Sequence, residues 1–253
     1  QYYKEEKTRE LVLESIYDTV PIKSNRDTTI YSDVGAIILG EIVEKISGLP
    51  LNVFADSMIF KPLGMGTTFF NPPSNKMRRI VPTEFKPDGT IVHGYVHDEN
   101  AYSLGGVAGH AGLFSTAKDL AVFSQMMLND GLYGWKRIFK TETVNEFTTK
   151  ANVVDGSSRL LGWDSPGGYA SGGIYLSDNS FGHTGFTGTS MWIDPDQGII
   201  VILLTNAVHP NRKNKSPKYY DWRQRIHSAV YESLSIINKN PNLKLRPRWE
   251  EGE

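Results

Sequence analysis

Apolar positions recur at helical spacing through the first 60 residues. Leu11, Leu13, Ile16 and Val20 form a loose stripe in a charged segment and predict a helix within residues 1–20. A polar loop follows over 23–29. Ile38, Leu39, Ile42, Val43 and Ile46 predict a second helix, entered through Tyr31-Ser32-Asp33 and stopped at Gly48. Residues 51–60 predict a short amphipathic helix ended by Pro62, Gly64 and Gly66. Residues 71–112 carry many turn residues and few periodic runs, which predicts loops with short strands. Ser115 reads as the N-cap of a helix whose buried face is Leu120, Phe123, Met127 and Leu128. Thr141 opens another short helix.

After Gly156 the period shortens. Strands are predicted at 160–163, 173–176, 188–193 and 199–205, with a strand pair spanning 181–188. Asp194-Pro195-Asp196-Gln197-Gly198 is a hairpin turn, because Pro sets φ and Gly accepts positive φ. The run 199–204 is apolar without alternation, which predicts a strand buried on both faces. Trp222, Ile226, Val230 and Leu234 predict a long helix that covers one face of the sheet. The polar end, 238–253, reads as a loosely held tail. The expected fold class is α+β: a mainly helical lobe with loops over 1–150, then antiparallel strands and a C-terminal helix over 151–237.

Composition narrows the function classes. Lys and Arg total 27 against 28 Asp and Glu, a net charge of -1, so no basic footprint for nucleic acid or an anionic membrane exists. A hydrophobic content of 39% excludes disorder over most of the length. The longest apolar run, Ile199 to Leu204, is far short of the ~20 residues a membrane-spanning helix needs. The chain has no cysteine, which excludes disulfides, thiolate metal sites and a thiol nucleophile but leaves the compartment open. Its polar opening, Gln1-Tyr2-Tyr3-Lys4-Glu5-Glu6, reads as mid-protein sequence, so a fragment or processed chain is expected.

Two short pieces could carry chemistry. Tyr31-Ser32-Asp33 stands at a helix entry, where a tyrosine acts as a base if nearby positive charge lowers its pKa from about 10. Gly182-His183-Thr184-Gly185-Phe186-Thr187-Gly188 lies among the strands. There a glycine after His-Thr opens the strand edge, and the Phe186 N–H can face a developing oxyanion. Each piece alone has a bland account, a helix-entry turn or a strand end turning on glycine. Their order and context together are more specific.

The match extends beyond these tripeptides. Leu39-Gly40-Glu41-Ile42-Val43-Glu44-Lys45-Ile46-Ser47-Gly48, Ile59-Phe60-Lys61-Pro62-Leu63-Gly64-Met65, and the run from Gly105 to Leu120 all resemble the serine β-lactamase and penicillin-binding-protein superfamily, in its class C-like branch. The resemblance covers about residues 8–235. It implies a β-lactamase/transpeptidase-like fold and a serine hydrolase acting on an amide or ester. Tyr31 and His183 are then catalytic, and Asp33, Thr184, Gly185 and Phe186 serve substrate and oxyanion, with no cofactor. The stretch Val96 to Ala101 is similar to members tied to cell-wall fragment recycling, which suggests a muropeptide amidase or a related esterase. A small-molecule or peptidoglycan-derived substrate follows, with no nucleic acid partner. A bacterial periplasmic or extracellular location is favoured, with a cytoplasmic one left open.

Two departures matter. Asp33 stands where the family usually has Asn, and an ionised Asp is acceptor-only. No Ser-x-x-Lys precedes Tyr31. The single literal match, Ser115-Thr116-Ala117-Lys118, falls after it and reads as a helix start. The N-terminal part of the fold, with the nucleophile, is therefore expected in a missing segment or a second chain, and the residues in hand are expected to be inactive alone. The alternatives are a non-catalytic binding module and a carboxylesterase. A metallohydrolase built on His93, His97, Asp98, Glu99 and His110 is weaker, because the segment reads as loop and lacks His-Glu-x-x-His.

Overall fold

The computed structural model describes residues 9–20, 28–150, 154–215 and 218–248. The start of the first predicted helix and most of the loop 23–29 lie outside them. The chain divides into two compact units, Gln1–Asp119 and Leu120–Glu253, each taken by itself here.

In the first unit, α1 (Arg9–Tyr17) buries Ile16 in a cluster with Ile37, Val96, Ala101, Leu104 and Ala108. Helix α2 (Asp33–Ser47) starts at Ser32, whose hydroxyl accepts the Gly35 N–H at 3.2 Å, and ends on Gly48 at φ 70°. Its buried residues are Ile37 and Gly40, while Leu39, Ile42 and Ile46 of the predicted stripe are exposed. The reason is backbone contact. A Cβ on Gly109 would stand 2.0 Å from the Ala36 carbonyl, and one on Gly40 would stand 3.2 Å from the Gly109 nitrogen. A glycine loop lying on the helix selects this face, which apolar spacing does not report. Arg9 ties the arrangement together by donating to Glu41, to Glu44 at 2.9 Å and to the Leu104 and Val107 carbonyls at 3.4 Å.

Helix α3 (Leu51–Ala55) passes through a π-helical turn (Asp56–Phe60) into α4 (Lys61–Leu63), which stops at Gly64 with φ 71°. Pro62 is tolerated because it stands in a first turn. Strands β1 (Phe69–Phe70) and β2 (Leu113–Phe114) pair antiparallel. The short α5 (Glu99–Ser103) lies between them in sequence. Helix α6 (Ala117–Leu128) spans the boundary of the units. Its cap is Thr116, not Ser115: the Asp119 N–H donates to Thr116 Oγ1 at 3.3 Å.

The second unit opens with the hairpin β3 (Leu132–Tyr133) and β4 (Lys136–Arg137), then α7 (Thr141–Thr148). Strands β5 (Phe181–Thr184), β6 (Thr189–Asp194) and β7 (Ile199–Leu204) form an antiparallel sheet in that order, followed by α8 (Lys218–Ser233). Ile174, Leu176, Trp192, Val201, Tyr231 and Leu243 belong to its core.

Five expectations are corrected. Residues 160–163 form a tight turn, with the Leu160 N–H donating to the Trp163 carbonyl at 2.8 Å. Residues 173–176 are buried but carry no ladder. Gly173, at φ 92°, lies against α8, and the Ile174 N–H donates to Ser228 Oγ at 3.2 Å. Strand β7 buries Val201 but leaves its last residue, Leu204, exposed, and its other residues are half-buried. Helix α8 turns a largely polar face inward. Trp222 and Ile226 are 51% and 45% exposed, while Gln224, His227, Ser228 and Tyr231 are buried. The tail is also docked as far as Arg246. The Lys244 N–H donates to the Gly168 carbonyl at 2.8 Å, and the Gln224 amide donates to the Lys244 carbonyl at 2.7 Å.

Candidate functional site

Tyr31 and Asp33 belong to the first unit, and His183 to Phe186 to the second. Tyr31 directly precedes the Ser32 cap of α2 and is 55% exposed. Asp33 is the first residue of α2, where its carboxylate complements the positive end of the helix. Within this unit the structure therefore brings the phenol and the carboxylate to one helix entry.

In the second unit, Gly182 and Gly185 bracket the reactive-looking strand. A Cβ on Gly182 would stand 2.4 Å from the Met191 carbonyl and 2.5 Å from the Trp192 indole. A Cβ on Gly185 would stand 2.2 Å from Thr189 Oγ1, so the space beside Gly185 belongs to the hairpin partner. The other edge of β5 meets Asp164, which exchanges two backbone hydrogen bonds with Gly182 at 2.7 and 3.0 Å. Strand alternation turns the Thr184 N–H to that same outer edge.

His183 Nδ1 donates to the Thr184 carbonyl at 2.9 Å, so Nε2 is left as acceptor, and Arg159 Nη1 approaches it at 3.4 Å. Arg159 is itself paired with Asp164 at 2.7 Å. The Arg159 guanidinium supplies positive charge beside the His183 ring, and sequence spacing did not single it out. Phe186 starts the turn that leads to Gly188. Lys215 Nζ donates to its carbonyl at 2.5 Å and lies 4.4 Å from its ring centroid, with Arg212 at 5.7 Å. Burial and the nearby Arg223 charge hold the Lys215 pKa below its ordinary value.

The Ser115-to-Lys118 match is structural. Ser115 Oγ shares a hydrogen bond with Thr68 Oγ1 at 2.7 Å, and Lys118 is exposed. Asp119 accepts from the Thr67 N–H at 2.8 Å and from the Thr68 hydroxyl at 2.9 Å. The histidine-rich loop is internal glue. His97 pairs with Glu84 at 2.9 Å, His110 with Asp98 at 2.8 Å, and His93 with the Ile80 carbonyl at 2.9 Å. Burial pushes the Asp98 carboxyl up, but hydrogen bonds from His110 and the Ala101 N–H outweigh it and hold the group below the ordinary carboxylate value. Among the described residues no three His, Asp or Glu side chains are grouped to hold a metal ion.

A family model described as Beta-lactamase matches residues 2–225. The Escherichia coli K12 protein named "Putative D-alanyl-D-alanine carboxypeptidase" is 41% identical over 198 residues, covering 71% of this chain and 45% of that one. The chain spans about half the length of the curated relatives it matches. Among solved structures, a beta-lactamase from Mycobacterium bovis has a TM-score of 0.57 at 22% identity, over 82% of this chain and 65% of that one. EstCE1, described as a hydrolase with promiscuous acyltransferase activity, has a TM-score of 0.62 at 19% identity, over 90% of this chain and 62% of that one. At these identities the two structures show the fold alone: mixed helices and antiparallel sheet of the β-lactamase/transpeptidase type.

Proposed function

The chain belongs to the beta-lactamase family, and from that premise we propose that it forms part of a serine hydrolase that cleaves an amide or ester through an acyl-enzyme. The nucleophile is a serine outside these 253 residues. Tyr31 takes the serine proton as the oxygen attacks the carbonyl, and it returns that proton to the leaving nitrogen or oxygen as the tetrahedral intermediate collapses. Water then repeats the sequence on the acyl-serine. The Phe186 N–H supplies half of the oxyanion hole, Thr184 and Gly185 align the substrate along β5, and His183 orients the substrate. Asp33 selects a substrate presenting an N–H or a positive charge, or holds a lysine.

The observation that supports this reading most is the outer edge of β5. Its Gly182-to-Gly185 segment is shaped by two sterically required glycines, and its histidine is braced by Arg159. A peptide adding to that edge would pair with the Thr184 N–H. The name of the Escherichia coli relative points to a peptide ending in D-alanine as the first substrate to test, and EstCE1 to an ester. A muropeptide is the finer expectation. A periplasmic or extracellular site of action suits a cell-wall peptide, and a cytoplasmic one suits a recycled fragment. No helix among the described residues is long and apolar enough to cross a membrane.

One observation favours a second reading, a binding module of the same fold. The single Ser-x-x-Lys in the sequence is committed to a structural hydrogen bond at Ser115. Fluorophosphonate labelling of the natural gene product separates the two. A stoichiometric mass gain on a serine supports the hydrolase. No gain, with retained muropeptide binding, supports the module and removes the acyl-enzyme.

A further inference from the structure

Between α6 and α7 the second unit carries a hairpin whose tip is bare. Strands β3 and β4 close on the pair Tyr133 and Lys136, which leaves Gly134 and Trp135 as a two-residue loop. Gly134 takes φ 57°, and a positive φ at the first loop position lets so short a loop match the twist of its strands. The base of the hairpin is braced. Arg137 Nη1 donates to the Asp130 and Phe139 carbonyls at 3.0 and 3.2 Å, and the Ile138 N–H donates to the Gly131 carbonyl at 2.8 Å. The loop therefore holds Trp135 out on a fixed support, where its relative exposure is 102%. An indole is a large apolar body that a fold normally covers. Leaving it in water gives up that burial, and no contact in the hairpin gains from it.

Charge around this tip has one sign. Lys136, Arg137 and Lys140 are exposed, and residues 131–141 contain no Asp or Glu. The chain's net charge of -1 averages this local surplus away. We propose that the hairpin tip docks on the surface of an anionic phospholipid bilayer, with Trp135 as the inserted group and Lys136 and Lys140 as headgroup contacts. An indole suits that boundary, because its ring body faces the acyl chains while its N–H meets the headgroups. Cations beside it are drawn to the negative surface potential. An uncharged sugar ring would cover the indole as well, but it makes no use of the cations. One indole with a few cations gives reversible association rather than permanent anchoring. The proposal uses no residue of the candidate hydrolase site, so each reading can fail without the other.

The test uses the natural gene product and vesicles of phosphatidylcholine mixed with phosphatidylglycerol, their acyl chains brominated so that an inserted indole loses its fluorescence. Phosphatidylcholine vesicles alone and a soluble chitin oligosaccharide are the comparison arms. Saturable quenching by the mixed vesicles is expected, weaker with phosphatidylcholine alone and relieved by salt. Trp135→Phe is expected to remove the quenching while sedimentation with the vesicles largely persists. Trp135→Ala is expected to weaken sedimentation about tenfold or more. Lys136→Gln and Lys140→Gln are each expected to weaken it about fivefold. All three positions are exposed, and a circular-dichroism spectrum matching the unmodified chain confirms the fold of each variant. Absence of quenching by the mixed vesicles, quenching left unchanged by Trp135→Phe, or an equal response to phosphatidylcholine alone overturns the proposal. A fluorescence change with the chitin oligosaccharide alone overturns it too, and assigns the tip to glycan stacking.

Discussion

At the scale of single residues, the clearest consequence concerns His227. It is fully buried, its Nε2 shares a hydrogen bond with Ser190 Oγ at 2.9 Å, and burial, followed by the Arg223 charge, pushes its pKa down to about 4. The folded chain keeps this ring neutral, while the unfolded chain protonates it near its ordinary value of 6.5. The unfolded state therefore binds more protons between these values. Stability is full above about pH 6.5 and is lost as pH falls toward 4, by an amount of order 3 kcal/mol. Urea denaturation of the unmodified chain should show this slope, and His227→Gln should flatten it over the same window. An unchanged slope in the variant would assign the titration elsewhere. Glycine offers a second residue-level test. Gly182→Ala drives a Cβ into the Met191 carbonyl and should cost about 2 kcal/mol or more. Gly185→Ala meets a side chain, Thr189 Oγ1, so Thr189→Ala should recover most of its loss. Equal damage from both glycine variants, with no recovery, would contradict this geometry.

At the scale of elements, α8 shows how a helix can misreport its inner face. Its apolar period, Trp222-Ile226-Val230-Leu234, is the pattern that usually points inward. The sheet instead presents polar partners. Asp194 is fully buried and accepts from Tyr231 at 3.0 Å and from Ser177 Oγ at 2.5 Å, and Ser190 meets His227. The helix turns its matching polar residues toward them, and the Tyr231 pKa is raised by burial and then by the Asp194 charge. Ile226→Ser should therefore change stability by less than about 0.5 kcal/mol, while Tyr231→Phe should cost about 1 kcal/mol or more through loss of one donor to the buried Asp194 carboxylate. Thermal or urea denaturation reads both, and the reverse order would restore the periodic expectation. The helices α2, α6 and α7, the Asp194-to-Gly198 turn and the sheet hairpins were legible because capping, glycine stops and turn chemistry are local. The buried faces of α2 and α8 were not, because a glycine loop and a buried carboxylate choose them from a distance in sequence.

At the scale of the molecule, family and fold class were legible from motifs strung along the chain, and the matches to known proteins agree. Tyr31, Asp33 and His183 to Phe186 could be named as site candidates from motifs alone. Their supports could not. Arg159 and Asp164 come from a turn 24 and 19 positions before His183 and carry no motif. The central claim is that the Tyr31 phenol is the general base of an acyl-transfer reaction. It is tested most directly by steady-state turnover of a peptide ending in D-alanyl-D-alanine, and of a simple ester, by the natural full-length gene product and its Tyr31→Phe variant. The account predicts measurable turnover in the unmodified enzyme and a loss of about 10²–10⁴ in kcat for the variant, with substrate binding retained. Turnover unchanged by Tyr31→Phe would contradict it.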